Sequence, residues 1–423
     1  MRTRFCLLLG LCLAAVACGG EQNRGDPEAK GGPSAPGVSD TDIRLGVLTD
    51  ESGPRKAIGQ LRIRAARVFF QALNDAGGIG GRRVQLVFGD HQSSRDVAAQ
   101  QYLHMRDSVL MFEQIFPVTF FEDELARDGV LASPVARYSS LADDRHLVMT
   151  GTPYRVEMSN AVDWLAGTLA NPRGTKIAAV TQPDDYGADA LAGIEEAART
   201  HGFDLAAKLA TQPTDQDLSH QATALQQSGA DYVFMATAPR ITGKLLEGCA
   251  AIGFVPRFVG NSFSFNPQII TENPALKPVF QQAWKTSGAF AHWGEETPGM
   301  RKMLDALGRY APDQKPDPFF VQGWIQARLV AEILTRADAA KDLTRPGLIR
   351  ALDGMADVEL DGLSPGLSYG RDHLGRPPSR QTRIFEMSAD TARYPDMLKP
   401  VTPFYTGETA ESLTVGATTS PSR

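Results

Sequence analysis

The chain has 423 residues, of which 42% are hydrophobic and 22% charged, and its formal net charge is −6. This length is enough to bury more than one core, and the composition excludes a fibre or a wholly disordered chain. The longest basic cluster, "RIRAAR" at residues 62–67, is a sparse helical face, so no nucleic-acid partner is predicted.

The first residues form a leader pattern. Arg2 and Arg4 precede an apolar run at residues 5–16 that is too short for a permanent membrane span and is typical of a signal peptide. The run ends in "AVAC", which resembles the lipobox of bacterial lipoproteins. That resemblance implies loss of residues 1–17, acylation of Cys18 and anchoring on the extracytoplasmic face of a bacterial cell membrane, periplasmic or cell-surface. Ordinary secretion with an uncleaved or differently cleaved leader is the alternative.

Polar segments flank a long α/β pattern. Residues 18–41 are rich in glycine, proline and charge and predict a flexible tether with a root-mean-square span of roughly 25 Å. Residues 406–423 are expected to be a disordered tail for the same reason. Between these segments, short alternating runs such as residues 43–48 precede stretches with apolar residues every three or four positions, as from Ile58 to Ala72. Strand and helix therefore alternate.

Glycines mark the ends of the predicted helices. Five of them follow a helical stretch and shortly precede an apolar run: Gly77, Gly129, Gly202, Gly229 and Gly253. Glycine just past a helix adopts the left-handed conformation that closes its last carbonyls. Helices alternating with short buried strands predict parallel sheets covered on both faces, which is an α/β fold.

Three sequence features that suggest a nucleotide-binding, catalytic or metal site lack the groups or the chain direction that such a site needs. The glycine-rich "NDAGGIGGRRVQLVFGD" at residues 74–90 runs from a helix end into a strand, whereas a phosphate loop opens a helix. In "GLSPG" at residues 362–366, Pro365 has no N–H to give to an oxyanion hole, so a turn fits better than a serine nucleophile. The seven histidines form no close ligand pair. The sequence predicts no catalysis, no cofactor and no metal site.

Four segments together carry a family resemblance: "DIRLGVLTDESGP" at residues 42–54, "NDAGGIGGRRVQLVFGD", "DDYG" at 184–187 and "GADYVFMA" at 229–236. They resemble the leucine/isoleucine/valine-binding family of type I periplasmic binding proteins, which supply solutes to ABC importers. The resemblance implies two Rossmann-like α/β lobes with parallel sheets, joined by a three-strand hinge. The lobes close on a ligand beyond the carboxyl ends of their strands.

The resemblance also implies where the chain changes lobe. The crossings are expected near residues 151–154, 289–292 and 365–369. The first lobe would then combine residues 42–152 with 291–365, and the second would combine 153–290 with 366–405.

In the first lobe, the resemblance places ligand contacts on two loops that follow strands. The residues at those positions are Ser52, Gly53, Ile115, Phe116 and Pro117. Amino-acid binders of the family offer hydroxyl groups to the ligand's carboxylate at the second of these loops, and those hydroxyls are missing here.

A third contact loop contains Pro134 and Arg137, with Arg137 close to the position of an expected threonine. A guanidinium clamps a carboxylate through two parallel hydrogen bonds, so a charged contact would replace the lost hydroxyls. In the alternative, Arg137 points into solvent or pairs with Asp143 or Asp144. Both possibilities stay open at this point.

In the second lobe, Tyr186 of "DDYG" matches a tyrosine that lines the cleft in the family. The other positions expected at the ligand are Ala236, Thr237, Ser262 and Phe263, with Trp324 as an aromatic contact. Amino-acid binders place an acid after the strand that ends at Gly260, where it holds the ligand's ammonium group, and this chain has Asn261 there. An unpaired ammonium in a closed cleft is costly.

These departures favour a carboxylated solute with an apolar or aromatic body, captured by a monomeric lipoprotein that performs no catalysis. ABC permease subunits are the expected protein partners. A branched-chain amino acid is the family default and remains the alternative ligand. A sensor with the same fold is the alternative role, which a kinase or cyclase encoded beside the protein would favour.

Overall fold

The computed structural model describes residues 35–53, 56–389 and 397–415. The predicted signal peptide, Cys18 and most of the predicted tether lie outside these residues, as does the end of the predicted tail from residue 416. Within the described ranges, no helix is both long and apolar enough to cross a membrane.

Strands and helices alternate along the described chain, as the sequence pattern predicts. The strands are β1 (Asp42–Thr49), β2 (Arg83–Asp90), β3 (Met111–Ile115), β4 (Ala132–Pro134), β5 (Lys176–Thr181), β6 (Asp204–Ala210), β7 (Tyr232–Ala236), β8 (Arg257–Gly260), β9 (Trp284–Gly288), β10 (Arg383–Met387) and β11 (Leu398–Pro400). The helices are α1 (Lys56–Asp75), α2 (Arg95–Met105), α3 (Glu122–Asp128), α4 (Tyr154–Thr168), α5 (Asp185–His201), α6 (Ser219–Ser228), α7 (Pro239–Ala251), α8 (Gln268–Glu272), α9 (Lys277–Ala283), α10 (Pro298–Tyr310), α11 (Pro318–Ala339), α12 (Arg345–Asp353) and α13 (Glu408–Ser412).

The glycine-rich segment after α1 forms a turn into β2. Gly77, Gly78, Gly80 and Gly81 all have positive φ, between 57° and 109°, a conformation that favours glycine. The asparagine of the motif, Asn74, lies at the end of α1. Its side-chain amide donates to the carbonyl of Val84 and accepts from the N–H of Val84, so it joins the helix end to β2. The segment therefore ends a helix and opens a strand, as predicted.

The first lobe is built on a four-stranded parallel sheet in the order β2-β1-β3-β4. Most residues of β1 and all of β3 are buried because helices cover both faces of the sheet. Helices α1, α10, α11 and α12 share a core on one face, and α2 and α3 pack on the other.

Helices α1 and α11 approach closely at Gly323. A Cβ placed on Gly323 would lie 2.8 Å from the Cα of Arg62 and 2.9 Å from the Cβ of Ala65. The missing side chain therefore lets two helices pack backbone to backbone, and it brings Gln322 and Gln326 of α11 against the guanidinium of Arg62.

The second lobe contains a seven-stranded sheet in the order β11-β10-β9-β8-β7-β5-β6. Strands β5 to β9 are parallel, but β10 runs antiparallel to β9 and β11 antiparallel to β10. The expectation of a purely parallel sheet needs this correction at one edge. The chain reaches β10 from the first lobe and not through a crossover helix packed on this sheet, and an antiparallel pairing needs no such crossover. The α/β class and the two lobes are confirmed.

Within the described residues the chain changes lobe three times, and the third crossing lies later than expected. Val148 still donates to Ala132 of the first sheet shortly before α4 begins in the second lobe. After β9, Ala291 returns to the first lobe and donates to Leu363. Tyr369, predicted to lie at the third crossing, still donates its N–H to Met355 of the first lobe.

The third crossing therefore falls between Tyr369 and Arg383, where β10 pairs with β9. An isolated bridge between Val358 and Leu367 accounts for the delay, because it holds residues beyond 365 in the first lobe.

Part of the predicted disordered tail is a packed element. Ala410, Leu413 and Val415 are buried against α4. The carboxylate of Asp163 on α4 accepts the N–H groups of Thr409 and Ala410 at 3.0 and 3.2 Å. The expectation of disorder is corrected for residues 406–415, because three apolar residues at the end of a polar stretch are enough to dock it.

Candidate functional site

A cavity of about 390 Å³ lies between the two lobes, a volume typical of small-molecule sites. We call it the interlobe cavity. Its lining includes residues of α1, α11 and the loops after β3 and β4, and residues of α4, α5, α7, α8 and the loop after β8. Its apolar lining comprises Ile58, Phe116, Pro117, Val135, Ala136, Tyr138, Tyr154, Tyr186, Pro213, Ala238, Pro239, Phe263, Ile269 and Phe319, and its polar lining comprises Arg62, Arg137, Gln182, Asp184, Arg240, Asn266, Gln268, Glu272 and Gln322.

Arg137 lies at this cavity with most of its guanidinium already engaged. The side chain is 3% exposed. Its Nε donates to the carbonyl of Thr152 at 2.9 Å, and its Nη2 donates to Glu157 Oε2 at 2.9 Å and to Ser262 Oγ at 2.6 Å. Its Nη1 has no hydrogen-bond partner among the residues that the structure describes. One nitrogen of Arg137 is thus available to a ligand.

The ion-pair partner of Arg137 was not foreseen. It is Glu157 on α4, rather than Asp143 or Asp144, and Arg137 does not point into bulk solvent. Glu157 also accepts from the N–H and the hydroxyl of Ser262, at 2.6 and 3.0 Å. Burial is the largest influence and raises the pKa of Glu157 overall, against the charge of Arg137 and the two Ser262 donors, which lower it. These three donors all favour the ionised form of the carboxyl group.

Arg62 is the second buried guanidinium at the cavity. It is 3% exposed and lies on α1, where Nη1 donates to Gln322 Oε1 at 3.2 Å and Nη2 donates to Gln326 Oε1. Both partners are neutral amides. Burial, the largest cause, and the nearby charge of Arg137 together lower the pKa of Arg62 to about 10. Arg62 therefore carries a buried positive charge at neutral pH that its hydrogen-bond partners do not compensate.

Glu113 on β3 raises the pKa of Arg62 when it is ionised, but it forms no ion pair with Arg62 among the described residues. Its side chain is 1% exposed, and both carboxylate oxygens are buried without a hydrogen-bond partner among the described residues. Burial raises the pKa of Glu113 to about 8, against the opposing effect of Arg62. At neutral pH Glu113 is therefore mostly protonated and uncharged, and it leaves Arg62 uncompensated.

Four aromatic rings form a continuous apolar wall, which we call the aromatic wall: Tyr154, Tyr186, Phe263 and Phe319. Successive ring centroids lie 4.8, 5.2 and 5.5 Å apart. Phe319 belongs to α11 of the first lobe and Phe263 follows β8 of the second. The Tyr186 hydroxyl donates to Asn261 Oδ1 at 2.8 Å, which fixes its ring. The wall thus crosses from one lobe to the other.

The acids that line the cavity lie at exposed positions. Asp184 is the N-cap of α5 and accepts from the N–H of Gly187 and the amide of Gln182. Glu272 accepts from Gln268 at 2.6 Å. Both acids are exposed to solvent, in contrast to the two buried guanidiniums. In the described part of the chain, no group of three or more His, Cys, Asp or Glu side chains is placed to bind a metal ion.

Five of the residues predicted at the ligand line the interlobe cavity: Phe116, Pro117, Arg137, Tyr186 and Phe263. The structure brings these together from both lobes.

The other predicted residues do not line the cavity, and local packing explains each case. Ile115, Pro134 and Ala236 are fully buried within or at the ends of strands. Thr237 turns its hydroxyl to Thr242 at 2.8 Å. Ser262 lies behind the lining, where it joins Arg137 to Glu157.

Ser52, Gly53 and Trp324 are also set apart from the cavity. The Ser52 hydroxyl donates to Asp90, and the N–H of Gly53 donates to Asp50 at 2.5 Å. Trp324 packs in the first-lobe core, with its ring centroid 4.9 Å from that of Phe69.

The residues missed by sequence reasoning include Arg62, Glu113, Glu157 and Gln322, and also Tyr154 and Phe319 of the aromatic wall. Arg62 did leave a signal, because it lies four positions after Ile58 on the predicted apolar stripe of α1, where a charged residue is out of place. Nothing in the sequence pairs it with Gln322, which is 260 residues away.

Two α/β lobes joined by three crossings, with a ligand-sized cavity between them, define a two-lobed binding protein. A family model described as periplasmic binding protein matches residues 42–392. The chain belongs to this family, which confirms the predicted resemblance.

Curated relatives agree with this assignment. Leu/Ile/Val-binding protein homolog 8 of Brucella abortus (strain 2308) is 21% identical over 330 residues, which cover 74% of this chain and 81% of the relative. Homolog 7 of the same organism is 22% identical over 352 residues, covering 78% and 84%.

Solved structures share the fold. The fatty acid ABC transporter substrate-binding protein from Thermomonospora curvata has a TM-score of 0.82 and 28% identity, covering 90% of this chain and 96% of that one. A branched chain amino acid ABC transporter protein from Thermus thermophilus with bound valine has a TM-score of 0.76 and 17% identity, covering 88% and 99%.

Proposed function

We propose that the protein is an extracytoplasmic solute-binding lipoprotein of an ABC importer, and that it captures a small carboxylic acid with an apolar or aromatic body. The observation that carries this proposal is the pair of buried guanidiniums, Arg62 and Arg137, beside a largely apolar interlobe cavity. The protein binds its solute without transforming it.

The charge balance favours an anion. Glu157 compensates Arg137, but Arg62 has only neutral glutamine partners, and Glu113 is mostly protonated at neutral pH. An uncompensated buried charge is costly, and a ligand carboxylate placed beside it removes that cost. Nη1 of Arg137 supplies a second donor. The polar part of the cavity thus fits one carboxylate.

The rest of the lining favours an apolar body. The aromatic wall, Phe116 and Ile269 present little hydrogen-bonding capacity to the cavity. Removing apolar surface from water contributes about 25 cal/mol per Å², so each methylene or ring carbon that packs there adds to affinity. The similarity to a fatty acid ABC transporter substrate-binding protein supports the same class of solute.

A branched-chain amino acid is the second candidate, because the curated relatives are named for leucine, isoleucine and valine. Such a ligand brings an ammonium group that needs a buried acceptor. Glu157 is covered by Arg137 and Ser262, and Asp184 and Glu272 lie at exposed positions. The amino-acid ligand therefore fits this cavity less well than a simple acid.

Binding would favour the closed arrangement of the lobes. Phe263 and Phe319 already meet across the lobes, and Gln322 of the first lobe donates to the carbonyl of Ser262 in the second at 3.3 Å. A ligand that contacts both sides adds free energy only to the state in which both sides are close, so it shifts the population toward that state. ABC permease subunits are the proposed partners of the closed form.

The lipid anchor is a separate part of the proposal. It is based on the lipobox-like sequence around Cys18. Metabolic labelling with a radioactive fatty acid tests it: the full chain should be labelled, and Cys18→Ser should not. Labelling of both forms, or of neither, would remove the anchor from the proposed function.

A thermal-shift screen tests the ligand class. The panel contains straight-chain acids of six to twelve carbons, arylalkanoic acids, and leucine, isoleucine and valine. We expect at least one acid to raise the melting temperature more than any of the three amino acids. Arg62→Met should abolish that shift, while Arg309→Met, a change on α10 away from the cavity lining, should retain it. A panel in which only the amino acids stabilise the protein would refute the carboxylic-acid proposal.

A further inference from the structure

Glu113 is a buried carboxyl group that the binding proposal leaves without a role. It lies on β3, which borders the same first-lobe core as α1 and α11. Its two oxygens have no hydrogen-bond partner in the described ranges of the chain, and the Nε of Arg62 is likewise buried and without a described partner. Burying such groups is costly, and each one in a folded protein requires an explanation.

Of the groups around Glu113 that the structure describes, Arg62 is the charged one that acts on it. From α11, Gln326 donates its amide to the main-chain carbonyl of Glu113 at 3.0 Å and also to Ser133 on β4. Both of these neighbours are neutral. From α1, Arg62 is the charged group that acts on Glu113.

Two other titratable groups of the site act on Arg62. They are the guanidinium of Arg137 and the phenol of Tyr154, which is buried and whose pKa is raised by burial. Glu157, the other buried acid of the site, already accepts hydrogen bonds from Arg137 and Ser262. Two carboxylates therefore have access to the charge of Arg62: that of Glu113 from within the lobe and that of a ligand from the cavity.

We propose that Glu113 is a specificity-determining residue that competes with the ligand carboxylate for Arg62, so that anion binding requires Glu113 to hold a proton. This inference rests on the proposed function, because it assumes an anionic ligand. It makes the site selective for ligands that bring their own negative charge, and it links capture of the ligand to proton uptake as the solution becomes alkaline.

The direction of the pH effect follows from the free protein. Burial raises the pKa of Glu113 to about 8, so below this pH the group is already protonated and an anion binds without proton exchange. Above it, Glu113 is ionised and must gain a proton when the ligand binds, so affinity falls as pH rises. Linkage gives a loss of about tenfold in affinity between pH 7 and pH 9. The ligand acid, with a pKa near 4 to 5, stays ionised throughout.

Isothermal titration calorimetry with decanoate, or with the acid that gives the largest thermal shift, tests this inference at pH 7, 8 and 9. The wild-type dissociation constant should rise about tenfold over this range. Titrations at pH 9 in two buffers of different ionisation enthalpy should show uptake of close to one proton per ligand.

Glu113→Gln supplies the matched variant, because it keeps the shape of the side chain and stays neutral at every pH. Its affinity at pH 7 should be within about twofold of the wild type, and the same at pH 9 as at pH 7. If this variant does not fold, the proton uptake of the wild type still decides the question.

The outcomes separate the inference from the function on which it rests. Acid binding that is independent of pH and takes up no proton would overturn the role of Glu113 and leave the carboxylic-acid ligand in place. A tenfold loss that persists in Glu113→Gln would also overturn it, because another group would then titrate. If no acid of the panel binds and leucine does, the proposed function fails and the inference fails with it.

Discussion

Gln322 on α11 and Ser262 after β8 join the two lobes by a hydrogen bond of 3.3 Å between the Gln322 amide and the Ser262 carbonyl. The same Gln322 accepts from Arg62, and the same Ser262 accepts from Arg137 through its hydroxyl. Gln322 and Ser262 therefore link the two buried guanidiniums, both of the first lobe, through a residue of the second lobe. Contact between the lobes and the position of the anion-binding groups are parts of one hydrogen-bonded chain.

Gln322→Met should weaken ligand binding by speeding dissociation. The substitution keeps the volume of the side chain but removes its own hydrogen bond to Ser262 across the lobes and the acceptor for Arg62, a loss of about 1–2 kcal/mol. This corresponds to roughly a 5–30-fold weaker dissociation constant. Stopped-flow fluorescence should place most of the change in the dissociation rate, because closure follows the encounter.

Gln226→Met is the matched control for this change, since Gln226 is exposed on α6 and makes one long hydrogen bond to Ile252. It should leave both rates unaltered. A change in the association rate alone for Gln322→Met would speak against its role in holding the closed state.

Arg137→Met should destabilise the free protein, whereas Arg62→Met should not. Removing Arg137 leaves Glu157 buried, 0% exposed, without its charged partner, which costs about 3–5 kcal/mol. Removing Arg62 deletes a buried charge that lacks an ionised partner, so we expect little loss of stability from that change. Urea unfolding without ligand measures both variants.

The double variant Arg137→Met with Glu157→Met checks the cause of that loss. It should recover most of the stability, because no unpaired charge remains. Equal stability of Arg137→Met and Arg62→Met would show that the Arg137–Glu157 ion pair does not contribute the expected stability.

Phe263→Ala should reduce affinity in proportion to the length of the ligand. Phe263 contacts Tyr186 on its own lobe and Phe319 on the other, so its loss opens the aromatic wall. We expect a loss of about 1–2 kcal/mol for a ten-carbon acid and almost none for a four-carbon acid. Calorimetry on both acids measures the difference.

Phe254→Ala provides the comparison, because Phe254 is half-buried in the second lobe and does not line the cavity. Its effect on affinity should be the same for both acids. An equal loss for short and long acids in Phe263→Ala would mean that the ring does not contact the ligand body.

Leu413→Ala should show that residues 406–415 are part of the folded protein. Leu413 is 4% exposed and packs with Val156 of α4, so the truncation should cost about 2–3 kcal/mol in the free energy of unfolding. Leu103→Ala, at a leucine that is 53% exposed, should cost less than about 0.5 kcal/mol. Equal losses in the free energy of unfolding for the two variants would show that residues 406–415 do not contribute to the folded protein.

Much of the fold follows from local sequence patterns. The turn after α1 was predictable because chain direction and positive-φ glycines are local properties, and the alternation of strand and helix gave the α/β class. The third crossing was placed too early because its position depends on the bridge between Val358 and Leu367, and that pairing leaves no periodic signal.

The site was less predictable because it depends on how helices face each other. On α11 the sequence predicts Trp324 as the ligand contact, whereas the residue that lines the cavity is Gln322. Two residues correspond to about 200° of rotation on a helix, so these side chains lie on nearly opposite faces. Which face meets the cleft is decided by the close approach of Gly323 to Arg62, a contact between segments far apart in sequence.

The ionic partners were hidden for the same reason. Asp143 and Asp144 lie near Arg137 in sequence, but the guanidinium turns toward Glu157, 20 residues away on α4. Glu157 and Glu113 occur in ordinary apolar contexts, and only burial shows that one is paired and the other is not.

The most direct test is a calorimetric comparison of three ligands with the wild-type protein at pH 7: a ten-carbon straight-chain acid, its primary amide and leucine. The acid and the amide share their apolar body and differ in charge. Compensation of Arg62 by the ligand predicts that the acid binds at least about tenfold more tightly than the amide and more tightly than leucine. An amide that binds as tightly as the acid, or leucine that binds more tightly than both, would contradict it.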